Sequence, residues 1–559
     1  MSGARLILDH VYDHEAAQRD QIVFTQPQGG GRVVDTTWGQ ALDEARRMAA
    51  HLRSLGLPAG ARIAMLAKNS AHFMIAELAI WMAGGTTVAI FPTETADNVR
   101  YVLEHSQASL LFVGKLDTWA QQRGAIPPGL PCIALPLSPA TGMPTWAEIV
   151  AATAPLAGRP QRSADDLAML LYTSGSTGQP KGVMQTFGSV TRATEGIVND
   201  PDSAEDDSLE RRVLSYLPLA HCYERAWVEC ALLMSGRGHL YFTESLATFA
   251  DDLKRARPTH FISVPRLWTK FQQGIFASLP AAQLDAMLDN PALRGAVSRK
   301  VLAGLGLDQV RRAGSGSAPL PAELLTWYRR LGLPLREGYA MTEDFAYSHH
   351  SIEGHAAPGH VGIPFPDVQV RLADDGEILI KSPGRMKGYY KRPDLDAEAF
   401  TDDGFFRTGD LGEHDADGLL RLTGRKKELF KTAKGKYVAP APIENLLNEH
   451  PMVELALVSG VGQPAPYGLI VLDEHLRPRL ADAAVRAEVE TALAALLARV
   501  NEAVPAWERL SRLVVAREPW SIENGCLTPT MKIKRSRIEA AVAPHVDAWY
   551  GAPGPVLWA

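Results

Sequence analysis

One stretch constrains this chain more than any other: Tyr172-Thr-Ser-Gly-Ser-Thr-Gly-Gln-Pro-Lys-Gly-Val-Met184. It follows an apolar run, residues 167–171, that reads as a buried strand. Gly175, Gly178 and Gly182 let the backbone come close to a ligand. Consecutive backbone N–H groups in such a loop form an anion-binding nest. Thr173, Ser174, Ser176 and Thr177 add hydroxyl donors, and Lys181 adds a mobile positive charge. A triphosphate suits this set of groups. The loop departs from the Gly-x-x-x-x-Gly-Lys-Ser/Thr pattern, because Lys181 follows Pro180 and precedes Gly182. A flexible Ser/Gly linker would share the composition, but not the ordered succession of strand, hydroxyls, proline and lysine.

At 559 residues the chain is too long for one ordinary core, so two or more domains are expected. The net charge of −6 gives no global pull toward nucleic acid. Cys132, Cys222, Cys230 and Cys526 fit no metal spacing, which reads as a reduced, cytoplasmic setting. The first ten residues meet acidic side chains at once and do not read as a signal peptide. The most apolar stretch, residues 73–84, contains Glu77 and is too short to span a bilayer. It reads as a core helix. Peripheral contact with a membrane surface is left open.

Residues 62–66, 86–91 and 110–113 read as strands and 70–83 as a helix, so a largely parallel α/β sheet is expected. Residues 114–165, rich in Pro, Ala and Thr, read as connecting loops. A strand from Arg212 ends near Pro218, followed by Leu219-Ala-His-Cys-Tyr-Glu-Arg225. Ligands bind beyond the carboxyl ends of such strands, so His221 and Tyr223 are placed to line a pocket. Residues 261–268 read as a further strand ending in a loop, and 270–308 as helical.

Residues 311–320 hold a second Gly/Ser turn, whose small residues let a flat ring lie on the backbone. In Leu335-Arg-Glu-Gly-Tyr-Ala-Met-Thr-Glu343, Glu343 offers a carboxylate to Mg²⁺, Thr342 a hydroxyl to phosphate and Tyr339 a ring face to a base. Asp410, after Thr408-Gly409, suits a bidentate grip on ribose hydroxyls, since an ionised carboxylate only accepts. Residues 422–440 carry a basic run beside Gly424 and Gly435 at an apparent domain boundary. Helical signals follow at 442–448 and 480–500, and Lys532 stands near the end in Leu527-Thr-Pro-Thr-Met-Lys532.

Taken in order, about seven of these motifs resemble the adenylate-forming superfamily. The Leu-Pro-Leu-Ala-His-Cys-Tyr-Glu-Arg run ending at Arg225 is similar to the branch of long-chain fatty acyl-CoA synthetases. The resemblance implies a large N-terminal α/β adenylating domain, 1–424, and a small mobile α+β domain, 425–559, with a hinge near 425–428 at Lys427. It assigns the β- and γ-phosphates to Thr173, Ser174, Gly175, Ser176, Thr177, Gly178 and Lys181. It assigns adenine to Ser315, Gly316, Ser317, Ala318 and Pro319, with Glu337, Gly338 and Tyr339 alongside. Mg²⁺ falls to Glu343 and Thr173, ribose to Asp410, ribose or phosphate to Arg425, and the pantetheine arm of coenzyme A to Gly435. Thr342, Glu343, His221 and Lys532 are implied as catalytic. Residues 384–390 continue the resemblance and read as structural. The chain carries Ala340 where the family has glycine, and Ala433-Lys434 where the long-chain form has Ser-Gly.

The implied chemistry has two steps. A fatty carboxylate displaces pyrophosphate from Mg-ATP, giving an acyl adenylate. The small domain then turns, removes Lys532, and admits the thiol of coenzyme A, which releases AMP. Three other readings stay open: an acyl-carrier protein as acceptor, an aryl or short acid as substrate, and a nucleotide-binding protein without catalysis.

Overall fold

A computed structural model describes residues 5–173, 179–200, 210–352 and 354–559. The chain divides into two compact units. Of the described residues, unit 1 comprises 5–173, 179–200, 210–352, 354–369 and 380–405; unit 2 comprises 370–379 and 406–559.

Unit 1 is built on two sheets. Ser70 caps the helix Ala71–Ala83 by accepting from the Phe73 N–H at 3.3 Å, and Gly84 ends it at φ +93°. Apolar on every face, this helix is buried, Glu77 included. The strands Arg62–Leu66, Thr86–Ile90 and Leu110–Val113 pair in parallel, as the alternation of strand and helix predicts. Thr86–Ile90 also pairs with Leu167–Thr173, so Ile90 and Thr173 end at one edge of a seven-stranded sheet. The Trp81 indole N–H reaches the Ala168 carbonyl at 2.9 Å and locks the helix to that strand. The second sheet has nine strands among the described residues. Its central run is Leu335–Tyr339, Arg312–Ser315, His260–Ser263, Arg212–Ser215 and His239–Phe242, all parallel.

Two expectations change. Residues 114–165 are not only loops: Cys132–Ala134 adds an edge strand, and Trp146–Ala152 is a helix capped by Thr145 with Glu148. Both are too short to show a hydrophobic period. The strand His260–Ser263 runs into the helix Pro265–Ser278 rather than a loop; Pro265 occupies the first turn, where its missing N–H costs nothing.

Unit 2 holds its own core. Helices Pro440–Asn448 and Ala483–Ala503 pack Ile443, Leu447, Val489, Leu493 and Leu496 against the sheet of Val453–Ser459, Tyr467–Leu472, Leu513–Val515 and Val556–Trp558. The hairpin of Phe406–His414 and Leu420–Arg425 also lies in this unit. Among the described residues no helix is long and apolar enough to cross a membrane.

Candidate active site

The sequence places its glycine-rich loop between two antiparallel strands. Leu167–Thr173 pairs with Lys181–Thr186, and Thr173 stands opposite Lys181. Ser174, Gly175, Ser176, Thr177 and Gly178 lie outside the described residues. The Lys181 ammonium sits 5.2 Å from the centre of the Tyr389 ring. Tyr389 is carried by the two-residue strand Gly388–Tyr389, which pairs with Lys181–Thr186. Its hydroxyl donates to Glu343 Oε1 at 2.8 Å. Burial, and then the neighbouring Glu343 charge, push this phenol well above its ordinary range, so it stays a donor.

Glu343 and Thr342 lie in the short 3₁₀ turn Thr342–Asp344. The Met386 N–H donates to the Glu343 carbonyl at 2.7 Å, and the Gln185 amide to the Thr342 carbonyl at 2.9 Å. Asp344 is buried beneath them and accepts from the Met341 and Tyr347 N–H groups at 3.0 and 3.3 Å. Burial pushes its carboxyl up to about 8. The Thr342 hydroxyl reaches Cys222 Sγ at 3.5 Å, which brings His221-Cys222-Tyr223 alongside. His221 caps its own turn: Nδ1 accepts the Tyr223 N–H at 3.2 Å, which leaves Nε2 to carry the proton of the neutral ring.

A cavity of about 980 Å³ opens here within unit 1. His221, Cys222, Tyr223, Ser315, Gly316, Ser317, Glu337, Gly338 and Tyr339 line it. Ala318 and Pro319 do not; they are exposed on the turn toward the helix Ala322–Arg330. Ser317 takes φ +70°, which turns the chain sharply after the strand Arg312–Ser315. The cavity crosses the sheet, since both Arg312 and Ser315, at opposite ends of one strand, face it. Its wall mixes apolar side chains such as Val213, Trp227 and Ile262 with charged ones such as Arg312 and Arg336.

The residues present fit a nucleotide. Ser315 and Glu337 are register partners on adjacent parallel strands. Ser315 Oγ and Glu337 Oε2 are buried with no hydrogen-bond partner among the described residues. Buried polar atoms in that state call for a polar ligand, and a purine edge supplies both donors and acceptors. Glu337 Oε1 accepts the Leu320 N–H at 3.0 Å, and burial pushes the carboxyl up to about 7. The donor set also fits Mg²⁺. Among the described residues no group of three or more His, Cys, Asp and Glu could hold a metal. Mg²⁺ needs no such cage, because it takes one or two carboxylates plus phosphate oxygens and water.

The remaining sequence-derived candidates belong to unit 2. Asp410 and Arg425 are partners across a hairpin, joined Nε to Oδ1 at 2.6 Å. Asp410 is buried, whereas the guanidinium side is 54% exposed. Lys427 is exposed in the 3₁₀ turn Lys426–Glu428. Gly435, at φ +76°, closes the turn between Phe430–Lys431 and Tyr437–Val438, a conformation that favours glycine. Lys532 is exposed at a tight turn: its N–H donates to Thr528 Oγ1 at 3.1 Å, and the Thr528 N–H donates to its carbonyl at 2.8 Å.

Tyr389 is the residue that the sequence reading passed over. Its segment reads as structural, and only strand pairing brings its hydroxyl to Glu343.

The architecture is that of adenylate-forming enzymes, a large N-terminal and a smaller C-terminal part of α/β character. It superposes on the adenylation domain of carboxylic acid reductase from Segniliparus rugosus, solved with AMP and a co-purified carboxylic acid. That match has a TM-score of 0.81 at 22% identity and covers 99% of this chain and 95% of that one. The AMP-binding enzyme profile matches residues 12–390, and the AMP-binding enzyme C-terminal domain matches 428–553; the chain belongs to this family. Among curated relatives it is 33% identical to the long-chain-fatty-acid–CoA ligase FadD15 of Mycobacterium bovis, over 97% of this chain and 96% of that one. It is 30% identical to long-chain-fatty-acid–CoA ligase 1 of Cavia porcellus, over 87% and 78% respectively.

Proposed function

We propose that this chain is an AMP-forming acid–thiol ligase that activates a long-chain fatty acid with ATP and transfers the acyl group to coenzyme A. The observation that carries this reading is similarity along almost the whole chain to a long-chain-fatty-acid–CoA ligase. The cavity supports it. At about 980 Å³ it lies at the upper end of the roughly 300–1,000 Å³ usual for ligand pockets. It also runs on across the sheet, leaving room for an acyl tail beyond a nucleotide.

In the first step the acid's carboxylate oxygen bonds the α-phosphorus of ATP and the bond to pyrophosphate breaks. The hairpin loop with Thr173 and Lys181 grips the leaving phosphates. Ser315, Gly316, Ser317 and Glu337 through Tyr339 hold the base; Asp410 holds ribose with Arg425 beside it. Glu343 and Thr173 would hold Mg²⁺, which when bound would neutralise charge on the phosphates. Thr342 donates to phosphate, and His221 presents its Nε2 proton toward the acyl end. Lys532 neutralises the charge that builds as carboxylate and phosphate meet. Preorganised charge of this kind is worth about 10²–10³ in rate. Positioning supplies the rest, as in other attacks at phosphorus.

In the second step the part of the chain beyond the proposed hinge, residues 428–559 with Lys532, turns about Lys427 and brings the Gly435 turn to the site. The thiol of coenzyme A attacks the acyl carbonyl, and AMP leaves. A reducing, cytoplasmic setting fits the four cysteines, whose spacing suits no metal. The reading is tested by pyrophosphate release from Mg-ATP over short, medium and long straight-chain acids and benzoate, with and without coenzyme A. Release that peaks with long chains and turns over only with coenzyme A is expected. Turnover only with an acyl-carrier protein, or a preference for benzoate, would replace it.

A further inference from the structure

The side chains His221, Cys222 and Tyr223 form one wall of the cavity, at the point where a short irregular segment after the strand Arg212–Ser215 enters the helical stretch that begins at Cys222. Locally the His221 N–H donates to the Pro218 carbonyl at 2.9 Å and its ring caps the turn, and a further tie comes from outside the segment. Asn69 supplies it. This residue follows the strand Arg62–Leu66, in the other sheet of unit 1, and is buried. Its amide donates to the Leu217 carbonyl at 2.7 Å and to Ser215 Oγ at 2.8 Å. Ser215 Oγ passes the bond on to Glu224 Oε1 at 2.6 Å, and Asn69 itself lies 3.2 Å from that oxygen. In return, Asn69 Oδ1 accepts the Leu219 N–H at 3.4 Å. One amide thus grips the backbone two residues and four residues before His221, and through Ser215 it reaches the residue just after Tyr223.

The far side of the segment is pinned to the same place. Arg225, fully buried, donates to Glu229 Oε2 at 2.6 Å and pairs with Glu77 on the helix Ala71–Ala83, which starts next to Asn69. The His221–Tyr223 wall is therefore held by two anchors, Asn69 after the strand Arg62–Leu66 and Glu77 on the helix that follows it. The Arg225 anchor is a buried guanidinium shared by two carboxyl groups, Glu77 and Glu229. The Asn69 anchor is a single neutral side chain that touches main chain, so it sets where the wall stands rather than whether the helix forms.

We propose that Asn69 is a positioning residue for the reaction: it acts through the segment 217–224 to place His221 at the acyl end of the cavity and the Tyr223 ring against Gly314 and Gly316. This rests on the ligase reading for its kinetic consequence, but its structural content does not. The test uses the full chain with Asn69→Ala, and Ser215→Ala as the milder variant. Peptide-level labelling by N-ethylmaleimide is followed at Cys222, in the wall, and at Cys230, on the helical stretch behind it; both are buried. Removing the amide takes away the bonds from Asn69 to the Leu217 carbonyl and the Leu219 N–H and leaves Ser215 Oγ with Glu224 alone, and losing that much hydrogen bonding shifts a local opening equilibrium by roughly tenfold. Cys222 labelling should accelerate about that much in Asn69→Ala and less in Ser215→Ala, with Cys230 unchanged. The KM for the acid should rise while the KM for ATP holds.

An unchanged Cys222 rate, or Cys222 and Cys230 accelerating together, would overturn the proposal; should Asn69→Ala fail to fold, Ser215→Ala decides by the same comparison. Accelerated Cys222 labelling with kinetics unchanged would uphold the anchor and count instead against His221 as a working residue.

Discussion

At the scale of single residues, the contact between Tyr389 and Glu343 is the most informative. A carboxylate that is to meet a metal needs a fixed orientation, and a hydroxyl donating to one of its oxygens gives that without adding charge. Hydrogen bonds to charged groups are worth about 1.5–3 kcal/mol. Tyr389→Phe keeps the ring that lies under Lys181 and removes only the donor. We expect pyrophosphate release to lose about tenfold in kcat/KM, with half-saturation moved to higher Mg²⁺. If kcat/KM and the Mg²⁺ titration both stay at wild-type values, the hydroxyl has no part in orienting Glu343. Glu343 and Lys181 were legible from their motifs. Tyr389 was not, because it stands 46 residues from Glu343 and its approach depends on the pairing of Gly388–Tyr389 with the strand after the loop.

At the scale of elements, the turn Thr342–Asp344 is the piece on which the site hangs. Phe345 and Ala346 follow it with φ of +55° and +57°, a conformation that costs energy for residues with a side chain. Asp344 offsets that cost by accepting the Met341 and Tyr347 N–H groups from below. Burial moves its carboxyl from an ordinary 3.8 up to about 8, so the folded protein keeps a proton that the unfolded chain releases. Its contribution to stability is therefore complete below pH 3.8 and is lost progressively as the pH rises toward about 8. Asp344→Asn preserves the accepting oxygen and cannot ionise. Its Tm should match wild type near pH 4 and exceed it near pH 8, and a constant offset between the two Tm profiles would show that Asp344 does not titrate in that window. The sequence marks this aspartate only as the residue after Thr-Glu; its burial is a matter of what packs around the turn.

At the scale of the whole molecule, the working parts fall in two units, and the proposed reaction uses them in turn. Lys532 is exposed at the tip of a turn, as suits a side chain meant to be brought up and withdrawn. Lys532→Ala should abolish acyl adenylate formation yet spare transfer to coenzyme A from a supplied acyl adenylate. Equal loss in both half-reactions would sink the exchange of roles between two arrangements. Much of this scale was readable in advance. Strands alternating with helices gave the parallel sheets, whereas the basic run at 422–440 lies inside unit 2, which already takes in residues 406–421. The span 114–165 was misread, since Cys132–Ala134 is a strand only because Leu110–Val113 offers it an edge.

What the sequence by itself determined is whatever local chemistry can specify. A glycine, serine and threonine loop must leave the core, a Ser cap starts a helix, and an acidic or basic side chain announces its ligand by its charge. Those rules act over a few residues and survive translation into any fold. What only the tertiary structure decided is which distant groups meet. Asn69 reaches Ser215 across 146 positions and Glu224 across 155, and Ser315 meets Glu337 through strand register. Such pairs are set by sheet order and burial, which sum over the whole core, so no stretch of residues carries them alone.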